Sequence, residues 1–96
     1  MRDLHPSDGA RYLLERDGAA DASTARYRAV IYTPDAEFTA SALLGDDGSV
    51  ALGPTGAPDE LHARLAALAR LVARDAARLR GDGLPPWPQR ILRWRR

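Results

Sequence analysis

The sequence predicts an α+β domain: a three- or four-stranded antiparallel meander covered on one face by one long helix, followed by a C-terminal segment rich in tryptophan and arginine. Three observations predict it. Apolar and polar residues alternate through residues 24–52, the period of half-buried strands. Through residues 58–80 apolar residues recur at spacings of three and four, the period of one helix face. Glycine and proline clusters separate the two regions.

Ninety-six residues make one domain. A chain of this size buries roughly 60–65% of its unfolded surface, enough for one modest core. With 45% hydrophobic residues and a net charge of +1, it lies outside the composition of disordered chains. The absence of cysteine excludes disulfides, thiol catalysis and thiolate metal sites. No run approaches the 18 or so apolar residues that a membrane span needs. The first residues lack the apolar stretch of a signal peptide. The simplest expectation is a soluble, cytoplasmic protein.

Residues 1–9 are polar, broken by Pro6 and Gly9, and read as a loose N-terminal arm ahead of a single domain over residues 10–96. Residues 10–16 are too few for periodicity to decide between a strand and a helical turn, and the Asp17-Gly18 turn tilts them toward a strand. Thr24 to Thr33 is the clearest strand, with Tyr27, Ala29 and Ile31 on one face and Arg26, Arg28 and Val30 on the other. After the Pro34-Asp35 turn, Ala36 to Leu44 returns with Phe38, Ala40, Ala42 and Leu44 together. Gly45-Asp46-Asp47-Gly48 reads as a hairpin loop, and Ser49 to Leu52 as the next strand.

Pro58-Asp59-Glu60 supplies helix-start signals, a proline in the first turn and acids at the positive dipole end. Leu61, Leu65, Leu68, Val72, Ala76 and Leu79 form the apolar face, and Gly81-Asp82-Gly83 stops the helix. Some 23 residues make a rod about 35 Å long, which suggests that this one helix covers the sheet. Ala63, Ala66, Ala67, Ala73 and Ala77 are placed on its back, where a second helix would approach closely. Leu84-Pro85-Pro86-Trp87-Pro88 is extended, and a final helical turn or two is expected from Pro88.

Charge is distributed unevenly. Residues 1–60 carry five arginines against eleven acids, a net of −6, while residues 61–96 carry nine against two, a net of +7. Such asymmetry marks either a tail for an anionic partner or two halves that pack together and neutralise, and the second is the preferred reading. Every basic residue is arginine; a GC-rich genome accounts for this without selection.

The candidate binding residues are Trp87, Arg90, Arg93, Trp94, Arg95 and Arg96. Interleaved arginine and tryptophan suit phosphate contact with base stacking, and equally a protein hot spot; the plain structural reading is that Trp87, Ile91 and Trp94 fold onto the sheet. Arg70, Arg74 and Arg78 form a basic stripe on the helix surface. No catalytic residue, cofactor, metal or small-molecule substrate is expected. His5 and His62 lack ligand-spaced partners, Asp46-Asp47 lacks the spaced ligands of a calcium loop, and Glu15 and Glu37 would form a carboxylate pair only if the fold joined them. Gly53-Pro54-Thr55-Gly56 weakly resembles an anion cradle, but Asp59 and Glu60 would repel the anion. The expected role is a small non-enzymatic protein-interaction or assembly module, a homodimer by helix or by sheet edge, with nucleic acid as the alternative partner of the C-terminus.

Overall fold

A computed structural model of the chain describes residues 4–21 and 23–96. Five strands and one helix follow in the order β1 (Ala10–Arg16), β2 (Thr24–Tyr32), β3 (Glu37–Gly45), β4 (Val50–Leu52), α1 (Asp59–Gly81) and β5 (Arg90–Arg95). The sheet order is β4-β3-β2-β1-β5, antiparallel throughout. The α+β architecture is the expected one, with five strands rather than three or four. Residues 10–16 form a strand. The C-terminal segment forms no helical turn after Pro88; it adds β5 to the outer side of β1.

The core lies between the sheet and α1. On that face Tyr12 and Leu14 of β1, Tyr27, Ala29 and Ile31 of β2, and Ala42 and Leu44 of β3 are buried. Opposite them α1 buries Leu65, Ala69, Val72, Ala73 and Ala76. Ala73 therefore belongs to the core face and not to the helix back. Its burial reflects a core stripe wider than a single row of 3-4 spacings. The loop before α1 is held from within. Thr55 Oγ1 accepts the Ala57 N–H at 3.1 Å and bonds His62 Nδ1 at 3.0 Å.

Coverage of the sheet is incomplete. The helix packs over β1 to β4, and among the described residues no Cα of α1 comes within 8 Å of one in β5. The long rod does not cover the whole sheet, because its length says nothing of how many strands lie beneath it. Side chains included, a helix is about 10–12 Å wide, whereas five strands about 4.8 Å apart span about 19 Å between outer axes.

The opposite sheet face is not wholly polar. Leu13, Val30 and Tyr32 are buried there, with Leu4 and Leu92 packed against them. Residues 4–9, expected within a loose arm, cross this face, while residues 1–3 of that arm lie outside the described residues. His5 meets the Tyr32 ring edge-on at 5.3 Å and donates from Nδ1 to the Thr33 carbonyl at 2.6 Å. Gly9 adopts φ +69° and passes so close to the Arg95 backbone that a Cβ would collide with it.

The segment between α1 and β5 is anchored by Trp87, which is 3% exposed. Its Nε1 donates to the Asp21 carbonyl at 3.1 Å, and its carbonyl accepts from Arg16 Nη1 at 3.0 Å. The next carbonyl, of Pro88, accepts the Tyr27 hydroxyl at 2.7 Å. The acceptor loop is itself pinned, since the Asp21 carboxylate takes the Thr24 and Ser23 amides at 2.7 and 2.8 Å, which hold its pKa below the usual carboxylate value.

Burial pushes the Tyr27 hydroxyl up to about 12 from an ordinary 10.0. The native state thus holds this proton more tightly than the unfolded chain. The stability that results is complete below pH 10 and is lost as pH rises toward 12. Tyr27→Phe is expected to flatten that alkaline decline and to cost about 1 kcal/mol at neutral pH through the lost bond to Pro88. Urea denaturation from pH 7 to 11.5 checks both.

Candidate functional site

Strand alternation divides the C-terminal candidates between two faces. Ile91, Arg93 and Arg95 lie on the helix side, opposite Leu14, Tyr12 and Ala10 of β1. Leu92 and Trp94 lie on the other side, opposite Leu13 and Arg11. Trp94 is 46% exposed; its Nε1 donates to the Asp8 carbonyl at 3.0 Å, and the Arg96 guanidinium sits 5.6 Å from its ring centre. Trp87 is taken up by the core, so the two tryptophans never share a surface.

The backbone of β5 forms one edge of the sheet. Arg16 N donates to the Gln89 carbonyl at 2.8 Å, so Gln89 turns its peptide groups toward β1. Antiparallel ladders alternate inward and outward pairs. Ile91, Arg93 and Arg95 therefore also turn inward, while Arg90, Leu92 and Trp94 point their N–H and C=O groups away from the sheet. One outward carbonyl is covered: Arg93 Nη1 donates to Leu92 O at 3.0 Å.

Beside this edge runs a groove of about 410 Å³, open to solvent. One wall comes from α1, with Arg64, Ala67, Leu68 and Leu71; Tyr12, Arg93 and Arg95 form the other, and Trp94 borders it. The groove exists because α1 stops short of β5. Leu71 is 50% exposed along it. Tyr12 is only 2% exposed, yet its hydroxyl is buried with no hydrogen-bond partner among the described residues. A buried donor left in that state costs about 1–3 kcal/mol.

The ion pairs explain where positive charge remains. Arg80 pairs with Asp46, Arg90 with Glu15 at 3.9 Å, Arg96 with Asp8 at 3.1 Å and Arg64 with Glu60 at 2.8 Å. Each joins the basic C-terminal part to the acidic part, as expected of halves that neutralise. Arg78 pairs with Asp75 at 3.6 Å. Arg70, Arg74, Arg93 and Arg95 have no ion pair among the described residues. The first two flank α1 near Gly48; the last two enter the groove.

Other candidates are absorbed by the fold. Asp46 pairs with Arg80, and Asp47 accepts the Ser49 amide at 2.9 Å, the Ser49 bonds holding its pKa below the usual value. Among the described residues no three metal-ligating side chains cluster. Glu15 lies between Arg28 and Arg90, while Glu37 faces His5 at 3.9 Å, so the two carboxylates do not meet. Among the described residues no helix is long and apolar enough to cross a membrane. Compared with known protein families, curated proteins and solved structures, the chain matches none. Tyr12, Arg64, Leu68 and Leu71 are the site residues that sequence reasoning missed. The only signal for them was Leu71, an apolar residue standing off the helix's core stripe.

The contrast between the tryptophans is measurable. Trp87→Ala is expected to cost about 3–5 kcal/mol, as for other buried large side chains, and Trp94→Ala about 1 kcal/mol or less. In Trp94→Phe the remaining emission should be blue and resist acrylamide. Urea titration and quenching of the two variants check this.

Proposed function

We propose that this domain is a non-enzymatic protein-interaction module that captures an extended segment of another chain by strand addition along β5. The outward N–H and C=O groups of Arg90, Leu92 and Trp94 support this reading most directly. Main-chain hydrogen bonds to such an edge supply affinity, and pockets for alternate side chains supply selectivity. The groove offers such pockets on one face, and half-exposed Trp94 offers an aromatic contact on the other.

Charge favours a different chain over a second copy at this edge. Pairing β5 with itself about a twofold axis at Leu92 or at Arg93 sets the two copies of Arg93 diagonal to or directly opposite each other on one face, and like charges so placed destabilise. A homodimer remains a proposal for the helix back, through the exposed Ala63, Ala67 and Ala77. The nucleic-acid reading has one supporting observation, the exposed indole of Trp94 beside Arg96. Against it, Asp8 lies against both, and Arg93 and Arg95 stand on the other face.

Selection from a random eight-residue peptide library on the immobilised full chain tests the proposal. A selected peptide should slow amide exchange at Arg90, Leu92 and Trp94. Trp94→Phe should still bind, whereas Trp94→Pro, which removes one outward N–H, should not. Methylating alternate backbone nitrogens of the peptide should likewise abolish binding, without any change to the protein. Protection confined to other strands, or undiminished binding of the N-methylated peptide, would sink strand addition.

A further inference from the structure

We propose that the groove between α1 and β5 selects acidic segments, by receiving a carboxylate side chain of the captured strand between Arg93 and Arg95 and over Tyr12. The inference rests on the strand-capture reading and names the chemistry of its ligand. A strand added to β5 alternates its side chains as β5 does, so every second one falls on the helix side, beside Arg93 and Arg95. These guanidinia lack an ion pair among the described residues, while their neighbours Arg90 and Arg96 are already matched to Glu15 and Asp8. Among the described residues the only ion pair within the groove wall is Arg64 with Glu60, at 2.8 Å. The groove thus carries unneutralised positive charge. A carboxylate matches it, since a guanidinium offers paired donors to paired acceptor oxygens.

Tyr12 gives a second, independent indication. Its hydroxyl is buried and, among the described residues, unpartnered, in a residue that lines the groove. It is a donor in want of an acceptor, and a carboxylate oxygen becomes one once the side chains that now seal the hydroxyl from solvent move aside. The exposed flank of Leu71 and the partly buried Leu68 would cover the methylenes of a glutamate better than those of an aspartate. Arg93, released from Leu92 O by the incoming strand, becomes free to turn to the carboxylate.

The test uses the full chain and two eight-residue peptides that alternate valine with either glutamate or glutamine, followed by calorimetry at about 0.15 M salt. The glutamate peptide should bind at least tenfold more tightly, about 1.4 kcal/mol. Arg95→Gln and Tyr12→Phe should each erase most of that preference. Arg74→Gln, the same loss of charge away from the groove, should leave the preference intact. Tyr12→Phe should unfold at the same urea concentration as the parent or a higher one, which separates a ligand contact from a structural one. Equal affinity for the two peptides overturns the carboxylate assignment and leaves strand capture standing. Equal loss in Arg74→Gln also overturns it, because the effect is then net charge alone. If neither peptide binds and a single-stranded oligonucleotide does, both readings fail together.

Discussion

Everything distinctive about this fold depends on the burial of one indole. After α1 the chain stands on the helix side of the sheet and has to reach the far flank of β1. Trp87 fixes that crossing. Aromatic burial is the largest apolar contribution a single side chain makes, and here three polar contacts aim it: Nε1 to Asp21, Arg16 to the Trp87 carbonyl and Tyr27 to the Pro88 carbonyl. Pro85, Pro86 and Pro88 fix φ around it, so little freedom is left to lose on docking. The contacts join residues 61 to 71 positions apart in sequence, and they place Gln89 where its carbonyl meets Arg16 N. Register along β5 follows from that first bond.

Adding a strand there creates a mismatch between sheet and helix. One helix does not span five strands, and this one packs over β1 to β4. The fifth strand therefore has one face toward the flank of α1 and an edge toward solvent. Exposed edges invite unwanted pairing, and charged side chains along them are one way to prevent it. Arg90, Arg93 and Arg95 place three guanidinia along the strand, and Arg93 closes one free carbonyl. Gly9 lets the N-terminal segment pass tightly against the far end, where Asp8 binds both Trp94 and Arg96. The edge is thus short and ringed by charge, with only its middle open.

Much of this was legible in the sequence because burial imposes a period. β2 and β3 announced themselves through Tyr27, Ala29, Ile31 and Phe38, Ala42, Leu44, which alternate because one face packs on α1. The helix was equally plain, from its acidic first turn to Gly81. β5 was not. Its residues Arg90-Ile91-Leu92-Arg93-Trp94-Arg95 put one apolar residue on the helix face and two on the other, and arginines fill the rest, so no period emerges. An edge strand with one face in a groove has no reason to alternate. Ala73 was misplaced for a related cause: alanine fits either face of a helix, and only the width of the buried stripe decides. The groove itself could not be read at all, since β1, α1 and β5 each contribute part of its wall and their adjacency depends on Trp87.

The charge asymmetry gains its meaning only in three dimensions. A chain whose first sixty residues are acidic and whose remainder is basic could place the surplus anywhere on its surface. Folding matches Arg64, Arg80, Arg90 and Arg96 to acids of the other half, one by one. What folding leaves over is therefore a more specific quantity than net charge. Arg70 and Arg74 stand on an exposed helix flank, where water solvates a guanidinium at little cost. Arg93 and Arg95 stand beside a half-exposed leucine, a buried hydroxyl without an acceptor and a row of open backbone groups. Water satisfies an exposed arginine well but reaches the Tyr12 hydroxyl not at all. On the strand-capture proposal, the same two charges that would repel a second β5 would attract a strand of opposite sign, so that a single pair of residues would sort partners without any further device.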